Sequence, residues 1–93
     1  MNVGFVESSS QHDWNCFIFH DVDLLPLDHR ISYSCTESPA HLSSAIDKFN
    51  ESLPYPHYFG GVCAFTKQDY LSVNGASNRY WGWGGEDDDL YHR

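Results

Sequence analysis

Two acidic motifs carry the chemistry that this sequence offers. Asp21 and Asp23 flank Val22 directly after the apolar run "CFIF". In extended chain, residues i and i+2 point to the same side, so both carboxylates can converge on one cation while Val22 packs the other way. Oxygen donors of this kind suit Mg or Mn. The spacing alone is common, and a solvated strand end or an Asx-turn explains it as well. Its place behind a hydrophobic strand favours ligation, because carboxylates held there need a cation or hydrogen bonds as compensation.

The second motif is "WGWGGEDDDLYHR", Trp81 to Arg93. Acids in a first helical turn stabilise the macrodipole by about 0.3–1 kcal/mol each, which accounts for one or two of them. Four in succession, Glu86 to Asp89, repel one another. Beside Trp83, Gly84 and Gly85 they build an aromatic wall next to hydrogen-bond acceptors, the combination that a carbohydrate requires. A carboxylate there can take a hydroxyl proton as general base. Joined to the acidic pair, the shelf points to transfer from a diphosphate-activated sugar, with a cation neutralising the charge that develops on the leaving diphosphate.

The balance of charge fits that reading. Thirteen Asp and Glu against five Lys and Arg give a formal charge of -8, which repels a nucleic-acid backbone and leaves few basic residues to hold phosphate unaided. The 93 residues are 41% hydrophobic and 16% aromatic, a globular composition in one small domain or a piece of a larger one. No apolar run reaches the roughly 18–20 residues of a membrane span. The start "MNVGFVESSS" lacks the basic and apolar regions of a signal peptide.

Cys16, Cys35 and Cys63 form an odd set, compatible with one disulfide and one free thiol, and the sequence does not pair them. Zinc held by Cys16 with His20 or Cys63 lacks CxxC or HxxxH spacing. Cys63, between Val62 and Ala64, reads as a small buried hydrophobe.

Those motifs must be positioned by short elements. Asn2 to Gln11 reads as a helix end, and "NCFIFH" as a buried strand whose carboxyl end carries Asp21 and Asp23. "HLSSAI" and "YFGGVCAF" are further strand candidates, the latter with a Gly60–Gly61 pair that implies close backbone approach. "TKQDYLSVNG" reads as a helix with Thr66 as N-cap and Gly75 as stop, and Glu86 to Asp89 open a final helix. Strands alternating with helical pieces predict an α/β class. Both ends fall in or beside helices, so the expectation is a contiguous block of a larger α/β domain.

"FHDVDLLPLD", "AIDKF", "LPYPHYFGGV" and "NRYWGWGGEDDD" together resemble the beta-1,4-galactosyltransferase family, over essentially the whole chain. The resemblance implies a partial glycosyltransferase A-type, Rossmann-like fold, a central sheet with flanking helices and long loops. It further implies an inverting, Mn-dependent enzyme using UDP-galactose, in the Golgi lumen as part of a type II single-pass membrane protein whose anchor is absent from this chain. Residues 1–46 would form the donor and metal half, and residues 47–93 the acceptor half.

Position by position, the resemblance makes Asp23 the metal ligand and places Asp21, Val22, Lys48, Tyr58, Gly61 and Trp83 at the donor. Phe49, Tyr55, Gly84, Gly85, Glu86, Asp87 and Asp88 fall with Trp83 around the acceptor, Asp87 being the counterpart of the catalytic base. Cys16 and Cys35 match a family disulfide, and Cys63 stands where a small residue is usual, a buried free thiol. The aromatic Tyr58 goes with galactose rather than N-acetylgalactosamine. "FHDVDLLPL" and "NGASNRYWGWG" lean to a xylose acceptor, while "AIDKF", "YFGGV" and "GGEDDD" lean to N-acetylglucosamine, which leads. The family's upstream Phe-Arg-Asn-Arg motif and downstream Met-x-x-His metal ligands have no counterpart here, implying that this chain alone is inactive. The reading from another class is a metal-dependent carbohydrate-binding module, which would hold sugar without UDP. A glycoside hydrolase needs two carboxylates about a glycosidic bond and no cation, and fits poorly.

Overall fold

Phe17 and Phe19 alternate along "CFIFH", and a strand sends alternate side chains to one face. In the computed structural model, which describes residues 1–93, this run is strand β1, Cys16–His20. It pairs antiparallel with β3, Val62–Thr66, placing Phe17 opposite Phe65 and His20 opposite Val62. The short β2, Ala40–His41, pairs along the other edge of β3, so the order is β1-β3-β2 and the sheet is wholly antiparallel. The central strand is the most enclosed: Val62, Cys63, Ala64 and Phe65 are all buried, whereas only Phe17 of β1 is.

Three helices close one face through single apolar anchors. Helix α1, Asn2–Gln11, inserts Phe5, whose ring centroid lies 4.6 Å from those of both Phe17 and Tyr70. Helix α2, Lys67–Ser72, supplies Tyr70, and α3, Glu86–His92, supplies Leu90. These residues form one core with Cys63 and Phe65, against which Phe19, Phe59 and Val73 pack. As expected, Thr66 caps α2: its Oγ1 accepts from the Asp69 amide at 3.1 Å. Gly75 follows that helix at φ +64, donating its amide to the Tyr70 carbonyl at 2.8 Å.

One asparagine ties the start of the chain to α2 and the segment that follows it. The Asn2 Oδ1 accepts from the Tyr70 hydroxyl at 2.7 Å and the Ala76 amide at 3.0 Å, and its Nδ2 donates to the Ala76 carbonyl at 2.6 Å. This fixes the segment that leads into the tryptophan loop. The expected disulfide joins Cys16 to Cys35 with their Cα atoms 5.6 Å apart. It closes the loop bearing Asp21 and Asp23, worth about 3 kcal/mol in the chain-entropy account.

The strand expected over "HLSSAI" is only Ala40–His41. Ser43 ends it, because its side chain takes over the ladder: Oγ accepts from the Val62 amide at 2.8 Å and donates to the Gly60 carbonyl at 2.8 Å. A 3-10 turn, Asp47–Phe49, follows.

Within α1, Gly4 is exposed and a methyl group there meets nothing within 4 Å. Gly4→Ala is therefore expected to raise stability by about 0.5–1 kcal/mol, since alanine loses less entropy in a helix. Denaturant unfolding of the protein with and without the substitution measures it, and an unchanged midpoint would contradict the isolated placement of this position.

Candidate functional site

Beyond His20 the chain cannot continue as strand, because β3 begins at Val62 and the preceding Gly61 has φ +84. Instead the Asp21 amide donates to the Gly61 carbonyl at 2.9 Å and the Leu24 amide to the Asp21 carbonyl at 3.4 Å, folding Asp21–Leu24 into a turn. The Asp-Val-Asp motif is thus a turn rather than an extended strand end. Val22, expected to pack away from the cation, is fully exposed, and β1 is half-buried rather than buried.

The Gly60–Gly61 step is held by two side chains. His41 Nε2 lies 2.7 Å from the Gly60 carbonyl oxygen, and since a carbonyl only accepts, this contact puts the imidazole proton on Nε2. Ser43 donates to the same oxygen. At Gly61 a Cβ would stand 2.5 Å from Ser43 Oγ, so both the positive φ and the crowding call for glycine. Neither His41 nor Ser43 stands out in the sequence, where the only sign is two polar residues in a strand candidate that faces the glycine pair.

The missing side chain of Gly60 leaves a recess that α3 fills. A Cβ at Gly60 would lie 2.7 Å from Asp87 Oδ2 and 2.9 Å from the Tyr58 hydroxyl. Burial, then the neighbouring charges of Asp23, Glu86 and Asp87, raise the Asp21 carboxyl above the usual range. The Tyr58 phenol is raised by burial and then by Asp21, Asp87 and Asp23. Residues far apart in the chain therefore share one electronegative space: the Asp21–Asp23 turn, Tyr58, Gly60 and the acids of α3. The chain's three ion pairs, Arg30–Asp28, Lys67–Asp13 and Arg93–Asp89, do not involve Asp21, Asp23, Glu86 or Asp87. With its folded pKa raised, Asp21 favours folding at low pH and opposes it as the pH climbs through that raised value.

An aromatic wall borders this space. The Tyr58 ring centroid lies 5.5 Å from that of Tyr55 and 6.3 Å from that of Phe49, both edge-on. The Tyr55 hydroxyl donates to Asp88 Oδ1 at 2.8 Å, and this bond to a carboxylate pushes its phenol up to about 12. Lys48 is exposed on the 3-10 turn with its ammonium 5.7 Å from the Phe49 ring centre. Trp83 stands fully exposed on a loop in which Gly82, Gly84 and Gly85 all have positive φ. Open space surrounds Gly82 and Gly84, whereas Gly85 packs on the Tyr80 ring.

The carboxylates supply negative charge and hard oxygen donors, which fits a divalent cation. They do not complete its shell, because no group of three or more His, Cys, Asp or Glu side chains gathers closely enough to hold a metal ion. Cys63 lies behind this site, buried and free, with its thiol pushed up to about 12 by burial and then by Asp21. A thiol so placed carries little thiolate, so iodoacetamide should modify it only after denaturation. Rapid modification of Cys63 in the native protein, followed by peptide mass spectrometry, would contradict its burial.

Comparison with known proteins decides the family. The N-terminal region of glycosyl transferase group 7 matches residues 1–36, and the N-terminal domain of galactosyltransferase matches residues 40–93. The chain belongs to glycosyltransferase family 7, the beta-1,4-galactosyltransferases. Over all 93 residues it is 56% identical to beta-1,4-galactosyltransferase 1 of Mus musculus and 57% identical to that of Bos taurus. It spans 23% of the length of each.

A solved structure of a mutant Drosophila beta-1,4-galactosyltransferase 7, in complex with manganese, UDP-Gal and xylobiose, superposes with a TM-score of 0.82 at 33% identity. The match covers 98% of this chain and 37% of that one, and it bears out the expected partial glycosyltransferase A-type α/β fold. No helix of this galactosyltransferase-family chain is long and apolar enough to cross a membrane.

Proposed function

We propose that this chain forms the donor and acceptor walls of an inverting galactosyltransferase, which moves galactose from UDP-galactose to the 4-hydroxyl of a sugar ending in N-acetylglucosamine on glycoproteins or glycolipids. The observation that carries the reading is the placement of Asp87. Its carboxylate fills the Gly60 recess beside Tyr58, within a cluster in which Asp21, Asp23, Glu86 and Asp87 form no ion pair. There it takes the proton from the acceptor hydroxyl as that oxygen attacks the galactose C1 from the face opposite UDP. Glu86 and Asp88 accept from the other acceptor hydroxyls, with Asp88 already oriented by Tyr55. Phe49 and Tyr55 stack on the sugar, and Gly84 and Gly85 let Trp83 swing from solvent over the donor.

Asp23 is the residue of this chain that would hold a divalent cation, with Asp21 beside it, and Mn2+ there would neutralise the diphosphate leaving group. The Drosophila relative's manganese and UDP-Gal support that choice. The aromatic residue at Tyr58, which in the family pattern goes with galactose, supports galactose over N-acetylgalactosamine as donor. Acceptor choice follows the "AIDKF", "YFGGV" and "GGEDDD" motifs. The second reading, a xylose acceptor, is favoured by the xylobiose of the Drosophila relative. The Cys16–Cys35 bond suits an oxidising lumen, in keeping with a Golgi enzyme carried by a type II membrane anchor.

Full-length protein given Mn2+, UDP-galactose and either N-acetylglucosamine or a xyloside should release UDP and form a β-1,4 linkage on the former, as read by NMR of the product. Preferential galactosylation of the xyloside would select the second reading. Sugar binding in calorimetry with no UDP or Mn2+ dependence would overturn both in favour of a lectin-like module.

A further inference from the structure

The 3-10 turn that carries Lys48 and Phe49 ends in the tripeptide Asn50-Glu51-Ser52, an Asn-X-Ser sequence with X other than proline. None of the other asparagines, Asn2, Asn15, Asn74 and Asn78, has Ser or Thr two residues on. The turn presents this tripeptide outward. Asn50 and Glu51 have φ +55 and +56, and Asn50, Glu51 and Ser52 are all exposed. The backbone beneath is tied off without using the Asn50 side chain: the amides of Phe49 and Glu51 both donate to the Ile46 carbonyl, at 3.0 and 2.9 Å, and the Ser52 hydroxyl donates to the Phe49 carbonyl at 2.6 Å. A branched sugar on Asn50 would therefore stand in solvent and displace no packed group.

We propose that Asn50 is an N-glycosylation site of this protein. The assignment rests on the lumenal placement proposed above, because a Golgi enzyme passes through the endoplasmic reticulum, where the donor, an oligosaccharide on a lipid diphosphate, and the enzyme that transfers it work. In the reaction the Asn50 Nδ2 attacks C1 of the oligosaccharide. An N–C1 bond forms as the C1–O bond breaks, the lipid diphosphate leaves with the electron pair, and the amide gives up one of its two protons to the transferring enzyme. The folded chain then has to accommodate the product, which the exposed turn does. Since Phe49 adjoins Asn50 and its ring lies 6.3 Å from that of Tyr58, the glycan would stand at the rim of the aromatic wall.

The test uses full-length protein made in the secretory pathway of animal cells. Enzymatic deglycosylation in oxygen-18 water converts a glycosylated asparagine to heavy aspartate, and the tryptic peptide Phe49–Lys67 reports it by mass spectrometry. Heavy label at Asn50 is expected in the wild type and in Ser52→Thr, and its loss in Ser52→Ala and Asn50→Gln. The same digest, unreduced, reports the Cys16–Cys35 bond. An intact disulfide with unlabelled Asn50 would overturn the glycosylation site alone. Free thiols at Cys16 and Cys35 would overturn the lumenal placement and the site with it.

Discussion

Full-length protein carrying Asp87→Asn is expected to lose about 10²–10⁴-fold in kcat, the usual contribution of a positioned general base. The substitution is close to isosteric, so the side chain should still occupy the recess at Gly60, where Asp87 Oδ2 lies 2.7 Å from the position of an added Cβ. It keeps an acceptor for substrate hydroxyls and removes the ability to take a proton. Stability should not fall with activity. Asp21 is held above its usual range partly by the charge of Asp87, so one fewer charge in the cluster relieves that repulsion. The expected signature is a large fall in the single-turnover rate with an acceptor KM changed little and an unfolding midpoint that holds or rises. A wild-type rate would remove Asp87 from the role of base. A lowered midpoint in step with the rate would mean that the residue is structural.

Much of the scaffold was legible because its determinants are local. The Thr66 cap needs only a hydroxyl three residues before an amide that lacks a helical partner, and Thr66 with Asp69 meets that condition in sequence. The short apolar run of strand formers in "NCFIFH" marked β1, and the run of acids marked α3. The extent of β2 was not legible, because it is set by Ser43 reaching across to Val62, a contact between residues 19 apart in the chain. The same holds for the Asp21–Asp23 turn. Period-2 logic puts its carboxylates on one side, but the strand ends at His20, where the neighbouring chain turns away at Gly61 with φ +84, a fact that belongs to Gly61 rather than to the motif. The likeness to known galactosyltransferases named the site residues, and only the fold shows the Asp87 carboxylate beside Gly60 and Tyr58.

Gly60→Ala is expected to produce the other large loss, and by a route that can be separated from unfolding. Unlike Gly61, Gly60 does not have a positive φ, so alanine is permitted by the backbone and the whole effect falls on the neighbours of the new methyl group. Those are Asp87 Oδ2 at 2.7 Å and the Tyr58 ring and hydroxyl at 2.9 Å, against an ordinary contact of at least 3.4 Å. The carboxylate must retreat by about 0.7 Å, the difference between those distances, and a shift on the order of 1 Å in a reacting group costs about 10²-fold. His41 and Ser43 hold the Gly60 carbonyl, so the backbone cannot easily yield instead. A double-mutant cycle decides the route. If the methyl group acts by displacing the base, Gly60→Ala should cost about 10²-fold in kcat alone and almost nothing further when Asp87→Asn is already present. Equal losses in both backgrounds would mean that the substitution acts on folding or on the donor side of the cleft, and that the recess does not position Asp87 for its work.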